Sequence, residues 1–142
     1  MRRTDNSPEE FVESLPEDAR DDIRTLDRLI SNEFAGEPRV MWEGKMWGGT
    51  DQQIIGYGEF SYINSKGEEI EWFAVGLALQ KNYISVYVNA VEDRAYLLQK
   101  YRDRLGKVKV GSASLSFPEL DSLELGVFEE MIRRARELTA GD

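Results

Sequence analysis

The stretch from Ile54 to Val88 constrains this chain more than any other, because it reads as two β-hairpins written end to end. IIGYGEFSYI runs into Asn64-Ser65-Lys66-Gly67, EEIEWFAVGLALQ follows, and Lys81-Asn82 turns the chain into YISVYV. Asn64 to Gly67 fits a type I turn with Gly67 at the left-handed position of a G1 bulge. That geometry sets the register, since a slip of one residue would exchange the two faces of the sheet. It predicts Phe60 opposite Trp72, Gly58 opposite Ala74 and Gly56 opposite Gly76. A two-residue turn at Lys81-Asn82 then puts Tyr87 beside Gly76.

Two unlike faces follow. One carries Ile55, Tyr57, Val75, Leu77, Leu79, Ile84, Val86 and Val88, and this aliphatic side is expected to pack under helices. The other is a floor of Gly56, Gly58, Ala74, Gly76 and Ala78 bordered by Phe60, Trp72 and Tyr87. Glycine inside a strand often marks a place where something approaches the backbone closely. The candidate ligand site is therefore an apolar platform on Gly56, Gly58 and Gly76, edged by Phe60, Trp72 and Tyr87, with Trp42 and Trp47 as walls. The competing expectation is that a helix or a second copy of the chain covers the floor, in a homodimer for example.

The flanks read as helices and edge strands. Ser7-Pro8-Glu9-Glu10 is a capping-box start, with Pro8 at the first helical position. A second helix runs from Pro16 to about Phe34, with Ala19, Ile23, Leu26, Ile30 and Phe34 inward. Residues 1–7 are polar and are expected to be loose. Arg39 to Trp47 reads as a first strand, Asp93 to Leu105 as a helix ended by Gly106, Lys107 to Phe117 as a fifth strand, and Asp121 to Thr139 as the last helix. The expected architecture is one α+β domain over residues 1–142: an antiparallel sheet of about five strands with helices packed mainly on one face.

Composition closes several chemistries. The chain has 142 residues and neither cysteine nor histidine. Disulfides, thiolate nucleophiles, Cys/His zinc sites and imidazole bases are thereby excluded. Any metal would need oxygen ligands, and any acid–base step would fall to carboxylates, lysine or tyrosine. A net charge of −9 argues against nucleic acid as a partner. No apolar run is long enough for a membrane span and no secretory signal opens the sequence, so cytoplasmic residence is expected.

Within this frame the run from Ile54 to Val88 resembles the strand region of the bacterial YdhG-like family. There, a Gly-x-Gly-x-aromatic strand and an aromatic-containing strand lead to a lysine followed by an Ile-Ser-Val-Tyr-like strand. Lys81 and Ile84-Ser85-Val86-Tyr87 match that element, and FVESLPEDARDDIRTLDRLI resembles the family's paired amino-terminal helices. The segment from Gly106, with Lys107, Lys109, Gly111 and Phe117, resembles its closing part, whereas Ser112 departs from the lysine often found there. The resemblance implies the fold and no catalytic motif. Some relatives are described as frataxin-like iron chaperones, which by analogy would make iron the cofactor or cargo.

Three further groups are candidates. Asp18, Asp21 and Asp22 share one face of the second helix and could hold iron weakly, although acids early in a helix also offset its dipole. Glu59, Glu69 and Glu71 gather near the hairpin tip, where a carboxylate-based enzyme would find an acid–base pair and a plain surface would find solvated charge. Lys107 and Lys109 form a compact basic spot, which in a strand reads first as a protected edge. The expected function is non-catalytic: binding of a small molecule or a protein partner on the aromatic-bordered face.

Overall fold

The computed structural model describes residues 1–45 and 51–140. Strand β1 (Arg2–Thr4) opens the chain, followed by helices α1 (Pro8–Glu13) and α2 (Glu17–Glu33). Helix α1 starts where its capping signal stands: the Glu10 backbone N–H donates to Ser7 Oγ at 3.2 Å, with Pro8 next to the cap. Helix α2 buries Ile23, Leu26 and Ile30 on one stripe and ends at Phe34.

Strands β2 (Arg39–Lys45), β3 (Asp51–Tyr57), β4 (Phe60–Ile63), β5 (Glu69–Trp72), β6 (Val75–Leu79) and β7 (Ile84–Val88) follow. A small hairpin, β8 (Val91–Glu92) and β9 (Ala95–Tyr96), leads to the one-turn helix α3 (Leu98–Tyr101) and a 3-10 turn at Arg102–Arg104. Strands β10 (Lys109–Val110) and β11 (Ser114–Phe117) precede helix α4 (Leu125–Thr139). Among the described residues the main sheet has seven strands in the order β1-β2-β3-β6-β7-β11-β10, every pair antiparallel. No described helix is long and apolar enough to cross a membrane.

The α+β character agrees with the sequence, but seven strands replace the expected five. Residues 2–4 are not loose: Arg2, Arg3 and Thr4 pair with Glu43, Trp42 and Met41. Thr4 Oγ1 and Asn6 Nδ2 also donate to the Glu43 carboxylate, at 3.1 and 2.6 Å. A polar three-residue edge strand carries no alternation that would announce it. Lys107 to Phe117 divides into two strands rather than forming one. Asp93 to Leu105 is not one helix, because Asp93 and Arg94 take positive φ (55° and 69°) in the turn joining β8 to β9.

The hairpin register holds. Phe60 faces Trp72, Gly56 faces Gly76, and Tyr87 lies beside Gly76. At the turn, the Gly67 N–H donates to Asn64 O at 3.0 Å, and Gly67 has φ 78°. Met41, Ile55, Tyr57, Val75, Leu77, Ile84, Val86 and Val88 meet Ile23, Leu26, Ile30, Phe128, Met131 and Ile132 in the main core. The aliphatic face is the one under the helices.

The pleat breaks between the two halves of this hairpin. Pairing of β3 with β6 ends at Tyr57 and Val75 and resumes at Phe60 and Trp72. Between them Gly58 adopts φ 73°, and its N–H donates outside the hairpin, to Pro38 O at 2.8 Å. A Cβ added at Gly58 would lie 2.8 Å from the Phe34 ring, so this residue faces the helices. Ala74 and Val75 both join the main core although they are consecutive, while Trp72 and Phe73 both join the opposite side. Gly58 and Ala74 therefore do not belong to the floor. Phe60 packs against the main core rather than bordering that floor.

Candidate functional site: the helix-free face of the sheet

Across the sheet from the helices lies a second, smaller cluster. Trp42, Ile54, Phe73 and Ala78 form it, with Met1, Val40, Trp72 and Tyr87 packed around them, and among the described residues no helix residue takes part. Strand β2 delivers Trp42 opposite Ile54, and the broken pleat delivers Phe73. The rings meet edge to face or stacked: Trp42–Trp72 at 5.2 Å, Trp42–Phe73 at 5.7 Å, Trp72–Phe73 at 4.4 Å and Phe73–Tyr87 at 6.3 Å between centroids. The Arg3 guanidinium on β1 sits 6.0 Å from the centre of the Trp42 ring.

These rings close the floor. A Cβ at Gly56 would stand 2.5 Å from Trp42 Cδ1, and one at Gly76 2.5 Å from Phe73 Cε1. Gly56 and Gly76 are absent of side chain because two aromatic rings lie directly on the backbone, not because an open platform is kept for a ligand. The sequence expectation of an exposed Gly56–Gly76 surface is corrected accordingly. Trp42 is buried and serves as a roof, not a wall. Trp72 and Tyr87 remain half-buried, as do Met1 and Val40, and supply the accessible aromatic part of the cluster. Trp47, the other expected wall, lies outside the described residues.

Phe73 is the residue that sequence reasoning missed. Strict alternation from Trp72 assigns it to the helical side, and only the irregularity at Gly58 could have signalled otherwise. Toward the other edge the same face becomes polar. Ala78 pairs with Ser85, Ser85 with Ser116, and Ser116 with Lys109, a continuous row of small side chains ending at the β10 edge. Burial pushes the Tyr87 phenol up, and the neighbouring Tyr83 adds to this, while hydrogen bonding with Ser85 and Gln80 works in the opposite direction.

The polar network on the helical side is fully engaged. Asp27 on α2 receives Arg39 Nε at 3.0 Å and Nη2 at 2.6 Å, the Tyr57 hydroxyl at 2.6 Å and Ser31 Oγ at 3.3 Å. Arg39 Nη1 also donates to Glu9 of α1 at 2.5 Å. Burial alone would lower the Arg39 pKa, but the hydrogen bonds and charge of Asp27, then Glu9, outweigh it and raise the group above its usual range. The Glu9 carboxyl is held below its usual value by a backbone hydrogen bond first and by Arg39 second. This cluster ties α1 and α2 to β2 and β3.

The acidic candidates do not converge. Asp22 Oδ2 accepts the Leu120 backbone N–H at 3.0 Å, tying α2 to the turn before α4, and Asp21 pairs with Arg24 at 3.3 Å. Asp18 is exposed, and no bond from it joins the other two among the described residues. No group of three or more Asp or Glu among the described residues is placed to hold a metal ion. Glu59, Glu69 and Glu71 are all exposed; Glu69 pairs with Ile63 and Glu71 with Ser61, while Glu59 lies outside both ladders.

No protein-family model, curated protein or solved structure matches the chain. The chemistry available on the helix-free face is thus read from its own side chains: aromatic surface from Trp72 and Tyr87, cations from Arg3 and Lys109, and hydroxyls from the serine row.

Proposed function

We propose that this chain is a non-catalytic binding domain, of the YdhG-like kind that its strand region resembles, working through the helix-free face of its sheet. The asymmetry of the two clusters carries the proposal. Among the described residues every helix packs on one side, whereas the other is covered by aromatic rings of the sheet with Met1 and Val40 beside them, Trp72 and Tyr87 being half-exposed. Half-exposed aromatic side chains on a rigid sheet offer a large contact area with little entropy to lose, which suits recognition of a small molecule or a partner's apolar side chain. Binding is expected on top of the roof, against Trp72 and Tyr87, and not on the glycines beneath it.

A screen of small aromatic and heteroaromatic compounds followed by two-dimensional amide NMR tests this. Saturable hits are expected to shift Trp72, Phe73 and Tyr87, and Trp72→Ser should abolish them while leaving the far-ultraviolet circular dichroism unchanged. Hits that map only to the helical side would refute the proposal. Light scattering covers the homodimer alternative: a dimer in which the Trp72 and Tyr87 amides lose solvent exchange would make this face an interface between copies instead.

A further inference from the structure

Where the helix-free face runs out at the β10 edge, the surface folds into a cleft of about 570 Å³. Tyr83, Lys107, Val108, Lys109, Ser116 and Phe117 line it, together with Pro118. In a chain with net charge −9, this lining holds, among the described residues, two ammonium groups and no carboxylate. Neither lysine forms an ion pair among the described residues, whereas Arg24, Arg39, Lys100, Arg133 and Arg134 all do. Lys109 lies on an edge strand, where a lysine also discourages pairing with another chain. Lys107 precedes that strand and needs a different reason.

The backbone explains why both cations face one cleft. The Lys107 N–H donates to Ser122 O at 2.9 Å, which anchors the segment beside the turn before α4. Lys109 is brought across from Ser116 by the β10–β11 pairing. The same lining includes Ser116, the exposed Tyr83 and the apolar residues Val108, Phe117 and Pro118. Two cations and hydroxyls in one lining with apolar and aromatic side chains are the complement of an amphipathic anion.

We infer that this cleft binds a small organic anion, a carboxylate or phosphate monoester with an aromatic or apolar body. Its charged group sits between Lys107 and Lys109, and its body lies against Tyr83 and Pro118. The inference shares a sheet face with the proposed function but stands on separate residues, and either can fail without the other.

The test is amide NMR titration of the full chain with benzoate, phenyl phosphate, inorganic phosphate and benzyl alcohol. Benzoate or phenyl phosphate should give saturable shifts confined to Tyr83, Lys107–Lys109 and Ser116–Phe117. Benzyl alcohol should give none, and inorganic phosphate, lacking the apolar body, should bind more weakly than phenyl phosphate. Whether carboxylate or phosphate ester binds more tightly identifies the head group. Lys107→Gln combined with Lys109→Gln should weaken binding at least about tenfold, while the double arginine variant and Lys66→Gln at the distant hairpin tip keep it. Absence of saturable shifts would overturn the inference, as would shifts insensitive to the double glutamine variant. So would binding that maps to Trp72 and is lost with Trp72→Ser, although that result would support the aromatic surface.

Discussion

At the scale of single residues, Asp27 shows how few side chains hold the two amino-terminal helices against the sheet. Its carboxylate faces Arg39 with exposures of only 15% and 24%, so removing the guanidinium strands a charge in a poorly hydrated place. Arg39→Met is expected to lower stability by about 3 kcal/mol, read as a lower urea midpoint with an unchanged slope. Combining it with Asp27→Asn should be much less than additive, because the two substitutions remove one shared interaction. Tyr57 makes a pH prediction. Burial first, and the Asp27 carboxylate second, push its phenol well above 10.0. The unfolded chain gives up that proton near pH 10 or so while the folded chain keeps it. Stability is therefore intact below that pH and falls as pH rises toward the folded value. Tyr57→Phe should lower stability at neutral pH by about 1–2 kcal/mol and flatten the loss on the alkaline side.

At the scale of elements, the glycines of β3 and β6 separate packing from strain. Gly56→Ala or Gly76→Ala must displace Trp42 or Phe73, so each is expected to destabilise by about 1–3 kcal/mol and to alter the near-ultraviolet circular dichroism. Gly67→Ala meets no atom within 4 Å and bears only the strain of φ 78°, about 1 kcal/mol, with the aromatic spectrum unchanged. The same elements mark how far the sequence could be read. Turn chemistry at Asn64–Gly67 and alternation along β7 were enough to pair Phe60 with Trp72 and to put Val86 beneath the helices, because both signals are local. The reversal at Gly58 was not legible. Its cause is non-local, a hydrogen bond to Pro38 and the Phe34 ring packed on its α-carbon, and it moved Phe60 and Phe73 to sides opposite those that alternation assigns. Likewise, nothing local to Arg39 announces Asp27 and Tyr57 as its partners.

At the scale of the whole molecule, the chain is a sheet with helices on one face and a thin aromatic cover on the other, finished at one edge by β1. Deleting residues 1–4 would expose the backbone of β2 and take Arg3 away from Trp42. Dimerisation or aggregation is expected, seen by light scattering, together with a red shift of the fluorescence. With a pI near 4.7, solubility should pass through a minimum around that pH. The division into two clusters also decides what optical probes will see. Trp42 and Trp72 both sit on the thin side and neither enters the helical core. Emission from these two indoles, isolated in a Trp47→Phe background, is therefore a local gauge of that cover, whereas far-ultraviolet ellipticity reports the helices. Should the cover loosen first on heating, the two melting curves would separate, and a chain that looks half-melted by one lamp would look intact by the other.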